Sequence, residues 1–366
     1  MDSLATPLDA EASAIRFTGT WREYLPIAAS NVALIIVTLG IYKFWAAARE
    51  RRYLWSRTQV IDEPLEWTGT GKEMFIGFLI VMAVILPFFL FIEFLFPALV
   101  ARGKMEAAVG IITLFYLAIF FLGGFARFRA LRYRLSRSWW RGIRGGSNDP
   151  GWNFAGEYFG RHLLSFMTMF IMFPWAATRL WNARWNQMSF GTLKFHADIN
   201  AEGLKGRWAL VYLAPVGVIL FAMVAGFMAI MGLANGTAET EAGAGAGMMA
   251  IIVAIVLLFY LAIPLATLHW FAKFYRKAAA GTTLGTLEFG FEATTWQWLK
   301  LFLGNIALAI VTLGFGMAYW GYRNWAFMIR HARLYGEIDV AALGQSTTRS
   351  PKEAEGFADA FDIGAI

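Results

Sequence analysis

The sequence predicts an all-α polytopic membrane protein with a small cytoplasmic β element. Three observations carry that reading. Apolar residues make up 58% of the 366 residues and charged residues 16%, against roughly 45–50% and 25% in soluble domains. Four uninterrupted apolar stretches each reach the ~20 residues that a helix needs to cross the hydrocarbon. Short strand-like pieces, including Thr58–Trp67, Met188–Phe195 and Thr283–Phe291, follow several apolar segments. Mean hydropathy is +0.52. This balance excludes a disordered chain, a fibrous protein and an ordinary soluble enzyme. With no cysteine, the chain has no disulfide, thiolate zinc site, iron–sulfur cluster or cysteine nucleophile.

The elements follow in chain order. Residues 1–14 form an N-terminal tail. Asp2, Asp9 and Glu11 precede any apolar run and no cleavage pattern follows, so a signal peptide is not expected. The membrane domain is expected over 15–340, with internal repeats at 15–131, 152–277 and 283–340. Its uninterrupted spans are Met74–Val100, Ala107–Ala126, Trp208–Ala234 and Ala242–Ala272. Three further apolar segments, Tyr24–Tyr42, Leu163–Thr178 and Leu301–Tyr322, carry internal breaks. The breaks are expected at Thr38-Leu39-Gly40, Phe173-Pro174 and Thr312-Leu313-Gly314-Phe315-Gly316. That makes about seven apolar segments, three of them broken. Residues 341–366 read as a polar tail, with a short amphipathic turn at 357–366.

The repeats are read from matched strings. Asn31-Val-Ala-Leu-Ile-Ile-Val-Thr-Leu-Gly40 matches Asn305-Ile-Ala-Leu-Ala-Ile-Val-Thr-Leu-Gly314, and Phe17 and Phe291 keep the same offset. Trp45-Ala-Ala-Ala-Arg49 matches Trp175-Ala-Ala-Thr-Arg179, with Trp55 and Trp185 following in step. Several matches in one order point to a unit of broken segment, strand and helical hairpin, present twice, with a third broken segment closing the chain.

Basic residues follow nearly every apolar segment. Arg127, Arg129, Arg132, Arg134, Arg137, Arg141 and Arg144 follow the third with no acid among them. Lys/Arg excess marks cytoplasmic loops, and simple alternation of seven spans would put some of these loops outside. Two readings stay open. In one, the three broken segments are re-entrant pairs that begin and end on the cytoplasmic side, their non-helical backbone sheltered by protein or a cavity. In the other they are full spans and the charge rule is imperfect. The basic loops and the C-terminus are expected on the cytoplasmic side, and in the re-entrant reading the strands sit there too. The stretch Ser136–Gly156 reads as a Gly-rich loop.

Phe17-Thr-Gly19, Asn31, Thr38-Leu-Gly-Ile-Tyr42, Trp45, Arg49, Tyr53 and a Gly-Thr-Gly71 turn together resemble the bacterial YjgN-like inner-membrane family, over roughly residues 15–340. The third copy departs from the string: Gly314-Phe-Gly-Met-Ala-Tyr-Trp320 has an extra residue, and Asn324 stands where Arg49 would. The resemblance implies a multi-pass bacterial inner-membrane protein. It implies no reaction, cofactor or catalytic residue, because the family is filed as a domain of unknown function.

No hydrolase elbow, zinc-binding HExxH or Walker loop is present. His162, His196, His269 and His331 have no ligand-like spacing, so no metal and no cofactor are expected. The candidate cavity or solute residues are Asn31, Gly40, Glu93, Pro174, Asn305 and Gly314. Asn31 and Asn305 sit at the same repeat position in uncharged apolar runs. Either they glue helices together or they line a solute site. Gly40, Pro174 and Gly314 are hinges of broken helices at such a site, or simple bends. Glu93 is an acid inside an apolar span. Arg49, Arg52, Arg141, Arg144 and Arg179 are lipid-headgroup candidates, because basic and aromatic residues beside apolar helices meet anionic lipid. Net charge is +7; phospholipid explains it better than nucleic acid does. The leading expectation is binding or passage of a small solute or lipid among the broken helices. The alternative is a non-transporting scaffold that grips anionic phospholipid. An enzyme ranks third.

Overall fold

The computed structural model describes residues 13–234, 241–337, 343–349 and 356. The expected turn at 357–366 lies outside them. The chain runs five times through strand, helix, helix, strand. The first unit is β1 (Ile15–Phe17), α1 (Trp21–Val37), α2 (Lys43–Ser56) and β2 (Thr58–Val60). The second is β3 (Glu63–Pro64) with β4 (Glu66–Trp67), then α3 (Gly71–Ala101), α4 (Met105–Arg137) and β5 (Ser138–Trp140). The third is β6 (Ile143–Gly146), α5 (Trp152–Met167), α6 (Phe173–Trp185) and β7 (Ser189–Phe190). The fourth is β8 (Leu193–Ala197), α7 (Lys205–Ala234), α8 (Glu241–Ala280) and β9 (Thr282–Leu284). The fifth is β10 (Leu287–Phe291), α9 (Thr295–Val311), a 3-10 turn at Phe315–Tyr319, α10 (Trp320–His331) and β11 (Ala332–Tyr335).

Local chemistry starts the outgoing helices. Thr20, Thr70 and Thr294 accept the backbone N–H of Glu23, Glu73 and Gln297, three residues on. Thr294 and Gln297 complete a reciprocal capping box, which satisfies two otherwise orphaned backbone donors. Among the described residues, three helices are long and apolar enough to cross a membrane: Gly71–Ala101, Met105–Arg137 and Lys205–Met228. The last pairs with the 40-residue α8.

The β element is larger than expected. An eight-stranded antiparallel sheet runs β11-β10-β9-β8-β7-β6-β5-β4, beside a three-stranded sheet β1-β2-β3. Leu65 joins β3 to β4, and its N–H donates to Thr58 O at 2.9 Å. At the other end Ala14 N–H donates to Leu334 O at 3.4 Å, and Ser13 Oγ donates to Ala332 O. The strands therefore run around a ring. The stretch expected as a loop, Ser136–Gly156, contains the β5–β6 hairpin, which turns through Arg141 and Gly142, both at positive φ. Its glycines concealed it. Gly145 and Gly146 pair with Phe190 and Ser189 in the neighbouring unit, and a Cβ on either glycine would crowd Leu135 or Thr348.

Helix ends are pinned to this ring by one device used three times. Thr58, Ser138 and Thr282 each follow a returning helix and donate to a carbonyl four residues back. Each also accepts an indole N–H from a helix of another unit or an earlier element: Trp325 to Thr58, Trp55 to Ser138 and Trp181 to Thr282, at 2.7–3.0 Å. Around Trp55 a core of Tyr24, Phe44, Leu54, Trp67, Met74, Tyr133 and Tyr322 joins the first, second and fifth units. A second core, which includes Phe128, Phe195, Leu284, Leu287 and Leu334, packs helix ends against strands.

Candidate functional site

The three short hairpins turn in the same way. Thr38, Thr168 and Thr312 each donate Oγ1 to the carbonyl four residues earlier and accept the N–H four residues later. The next two residues are left-handed: Leu39 and Gly40, Met169 and Phe170, Leu313 and Gly314. The N–H of Gly40, Phe170 and Gly314 reaches back to Ile35, Ser165 and Ala309. Gly40 and Gly314, at φ +93° and +92°, suit a conformation that costs other residues roughly 1–2 kcal/mol. The middle break therefore lies at Thr168–Ile171, which corrects its expected position at Phe173-Pro174. Pro174 instead occupies the first turn of α6 and is buried, where its missing N–H costs nothing.

Asn31 and Asn305 are both buried, and each ties the two legs of its own hairpin. Asn31 Nδ2 donates to Ala46 O at 3.4 Å, and Arg49 donates to Ser30 Oγ at 2.8 Å and Asn31 Oδ1 at 3.5 Å. Asn305 Nδ2 donates to Asn324 Oδ1 at 2.9 Å, while Trp320 Nε1 donates to Asn305 O at 3.1 Å. Asn324, which stands where Arg49 would, accepts where Arg49 donates, and Asn305 Oδ1 is left buried without a partner. Glu93 is exposed on α3, and Arg52 and Arg179 are exposed on α2 and α6.

Arg141 and Arg144 lie in the ring. Arg141 pairs with Asp62 at 2.5 Å and Glu63 at 3.5 Å across the two tight turns. Its guanidinium holds the Asp62 carboxyl below the usual carboxylate range. Arg144 is engaged by Thr348 of the C-terminal segment, which lies along β6, and burial lowers its pKa.

The large concavity lies where the first and fifth units meet. A groove of about 1190 Å³ runs between α1 on one side and α9, the 3-10 turn and α10 on the other. That exceeds the roughly 300–1,000 Å³ of ordinary small-molecule pockets. None of the six expected cavity residues lines it, although two of the three broken hairpins form its walls. On α10 the lining residues are Tyr322, Arg323, Ala326, Phe327, Arg330 and His331; from Arg323 the spacing of three, four and seven shows one helix face. That spacing is legible in the sequence, but the partner helix it faces is not.

Polarity is graded along the groove. Gln297, Lys300, Arg330 and His331 lie near the ring, where α9 starts and α10 ends. Ile36, Leu308, Thr312 and Phe315 lie at the hairpin tips. Lys300 and Leu308 are separated by about 12 Å of helix rise. Among the described residues no acid pairs with Lys300, Arg323 or Arg330, and none lines the groove. Arg323 Nε is buried without a hydrogen-bond partner. Its guanidinium lies against Gly304, where a Cβ would fall 2.4 Å from a guanidinium nitrogen. The arrangement offers cations at one end and an apolar slot at the other. Among the described residues no group of three or more His, Asp or Glu side chains is placed to hold a metal ion.

A family model described as "Bacterial protein of unknown function (DUF898)" matches residues 12–360. The chain belongs to that family. As a DUF898 member with long apolar helices, it is a membrane protein. It is similar to "Inner membrane protein YjgN" of Salmonella typhimurium, 30% identical over 99 residues, which cover 27% of this chain and 25% of the relative. It is also similar to "Inner membrane protein YjgN" of Escherichia coli K12, 28% identical over 144 residues, 39% of this chain and 33% of the relative. The aligned part thus spans a quarter to a third of these relatives' length. No solved structure matches the chain. The resemblance read from the Thr-Leu-Gly-Ile-Tyr string is borne out at the level of the family.

Proposed function

We propose that this DUF898 protein binds an anionic phospholipid in the groove between its first and fifth units. The headgroup phosphate sits with Lys300, Arg323 and Arg330, and an acyl chain lies along Leu25, Val32, Ile36 and Leu308. The observation that carries this reading is the graded groove: unpaired cations at the ring end and apolar residues at the tip end, with no acid between. Charge-assisted bonds from Arg suit phosphate geometry, and half-buried Arg323, whose Nε has no hydrogen-bond partner, has donor capacity left for an anionic guest. This reading keeps the expected site among the broken helices but moves it off the paired Asn residues. It also commits to lipid rather than free solute.

The protein resides in the bacterial inner membrane, with the ring, the basic helix ends and the C-terminus on the cytoplasmic side. Lys/Arg excess at the ring supports this orientation. The repeated strand–helix–helix–strand path supports an origin by internal repetition.

The test is lipid retention after detergent purification. The intact chain is expected to carry phosphatidylglycerol or cardiolipin in native mass spectra. The double variant Lys300→Glu, Arg330→Glu is expected to lose about tenfold in retained anionic lipid, or roughly 1.4 kcal/mol, with its folding unchanged. Equal retention in both proteins overturns the proposal.

A further inference from the structure

We propose that the chain is a one-sided wedge: its three short hairpins stop at the bilayer centre, so that it occupies more of one leaflet than of the other. Hairpin depth alone sets this shape, whatever fills the groove.

Every helical hairpin leaves the ring and returns to it, because the strands that flank it pair in that ring. Reach is then set by helix length. The 17 residues of α1 and of α9 rise about 26 Å, and the 31 residues of α3 about 46 Å. The hydrocarbon is about 30 Å thick, or about 40–45 Å with the interfaces. From a ring at the headgroups, the long pairs cross the membrane and the short ones end near its middle.

The tips are built for that depth. Leu39, Met169 and Leu313 are 94%, 76% and 89% exposed. Their apolar neighbours Val37, Ile171 and Val311 are also exposed. An aqueous position for three such tips is unfavourable by the burial energy of each side chain. The turn backbone is satisfied internally, by a Thr hydroxyl and by carbonyls four and five residues back. Irregular backbone at membrane depth requires just such satisfaction.

The leaflet next to the ring therefore holds all ten α-helices of the described residues, and the far leaflet holds α3, α4, α7 and α8. A body broader at the ring side expands that leaflet and favours membrane that is convex on the ring side.

The experiment uses the full chain in giant vesicles of phosphatidylcholine and phosphatidylglycerol, with thin tubes pulled from them. A cysteine at the exposed ring residue Lys194, labelled with an impermeant dye, reports only chains whose ring faces outward. Those chains are expected to be enriched several-fold in the tubes relative to the parent membrane. Equal density in both overturns the wedge. Separate Leu39→Cys, Met169→Cys and Leu313→Cys variants, carrying a fluorophore, are expected to be quenched most by nitroxides near the acyl-chain ends. Labelling of these cysteines by an impermeant reagent from the far face, or strongest quenching at the headgroups, overturns the half-depth placement.

Discussion

Two junctions between neighbouring units differ in kind. Between the first and second units the contact is closed. Trp55 meets Trp67 edge-on at 5.0 Å, Phe44 packs on Phe75 and Phe78, and the Arg51 guanidinium lies over the Trp67 ring at 5.2 Å. Between the fifth and first units, Ala28, Ala29 and Ala33 face Leu301, Leu308 and Phe315 across open space, and among the described residues no acid lines the groove beside its cations. The inner layer still closes at that seam: Trp325 stacks on Trp55 at 4.2 Å and Tyr322 on Tyr24 at 5.0 Å. The difference shows what seals a junction in this fold. Large rings fill the closed one, and its cation rests on one of their faces. Small residues and unmatched cations leave the other open for a guest.

The largest effect is expected from breaking the closed junction. Trp55→Ala removes two ring contacts and the indole bond to Ser138, and should destabilise the protein by about 3–5 kcal/mol, read by chemical unfolding in micelles. A loss near zero would mean that the junction does not hold the ring.

Filling the open seam sharpens the same comparison. Ala33→Trp should cut retained anionic lipid about tenfold, roughly 1.4 kcal/mol, while the unfolding midpoint stays put. If the midpoint falls with the lipid, the groove is a packed interface and not a site.

A smaller effect is expected inside a hairpin. Asn31→Leu removes two long interhelical bonds, to Ala46 O and from Arg49, which keeps Ser30 Oγ; it should cost on the order of 0.6 kcal/mol per bond, with lipid retention unchanged. Lost lipid binding would return Asn31 to the site. This measurement separates the hairpin glue from the groove.

The smallest effect concerns the ring's tight turns. Arg141 depresses the Asp62 carboxyl, so this pair stabilises the folded state above the ordinary aspartate range near about 3.9. The contribution disappears as pH falls through the lowered folded value. Exposed pairs contribute little, so Asp62→Asn should slightly flatten the acid side of the stability profile. An unchanged profile would show that the pair is silent.

Much of this was legible along the chain. The Thr-Leu-Gly strings named two of the three tight turns, because a left-handed residue after a Thr that bonds both ways is a local device. The middle turn uses Met169 and Phe170 in place of Leu-Gly, so it carries no glycine signal and Pro174 is the break residue that stands out nearby. The ring was harder to see. Its closing contacts join Ser13 and Ala14 to Ala332 and Leu334, and strands of two to five residues carry too little alternation to announce a partner.

Residue order alone decides which segments are apolar, how long each is and where each turns, because hydropathy, helix length and capping act over a few neighbouring residues. It therefore settled the membrane character and two of the three tight turns. Which hairpins become neighbours is a matter of long-range pairing, and so is the meeting of Lys300 with α1 across a groove. The first and last units meet only because the strand ring closes. Short strands gain stability only when assembled together. The seam is a product of that closure, and only the folded chain displays it.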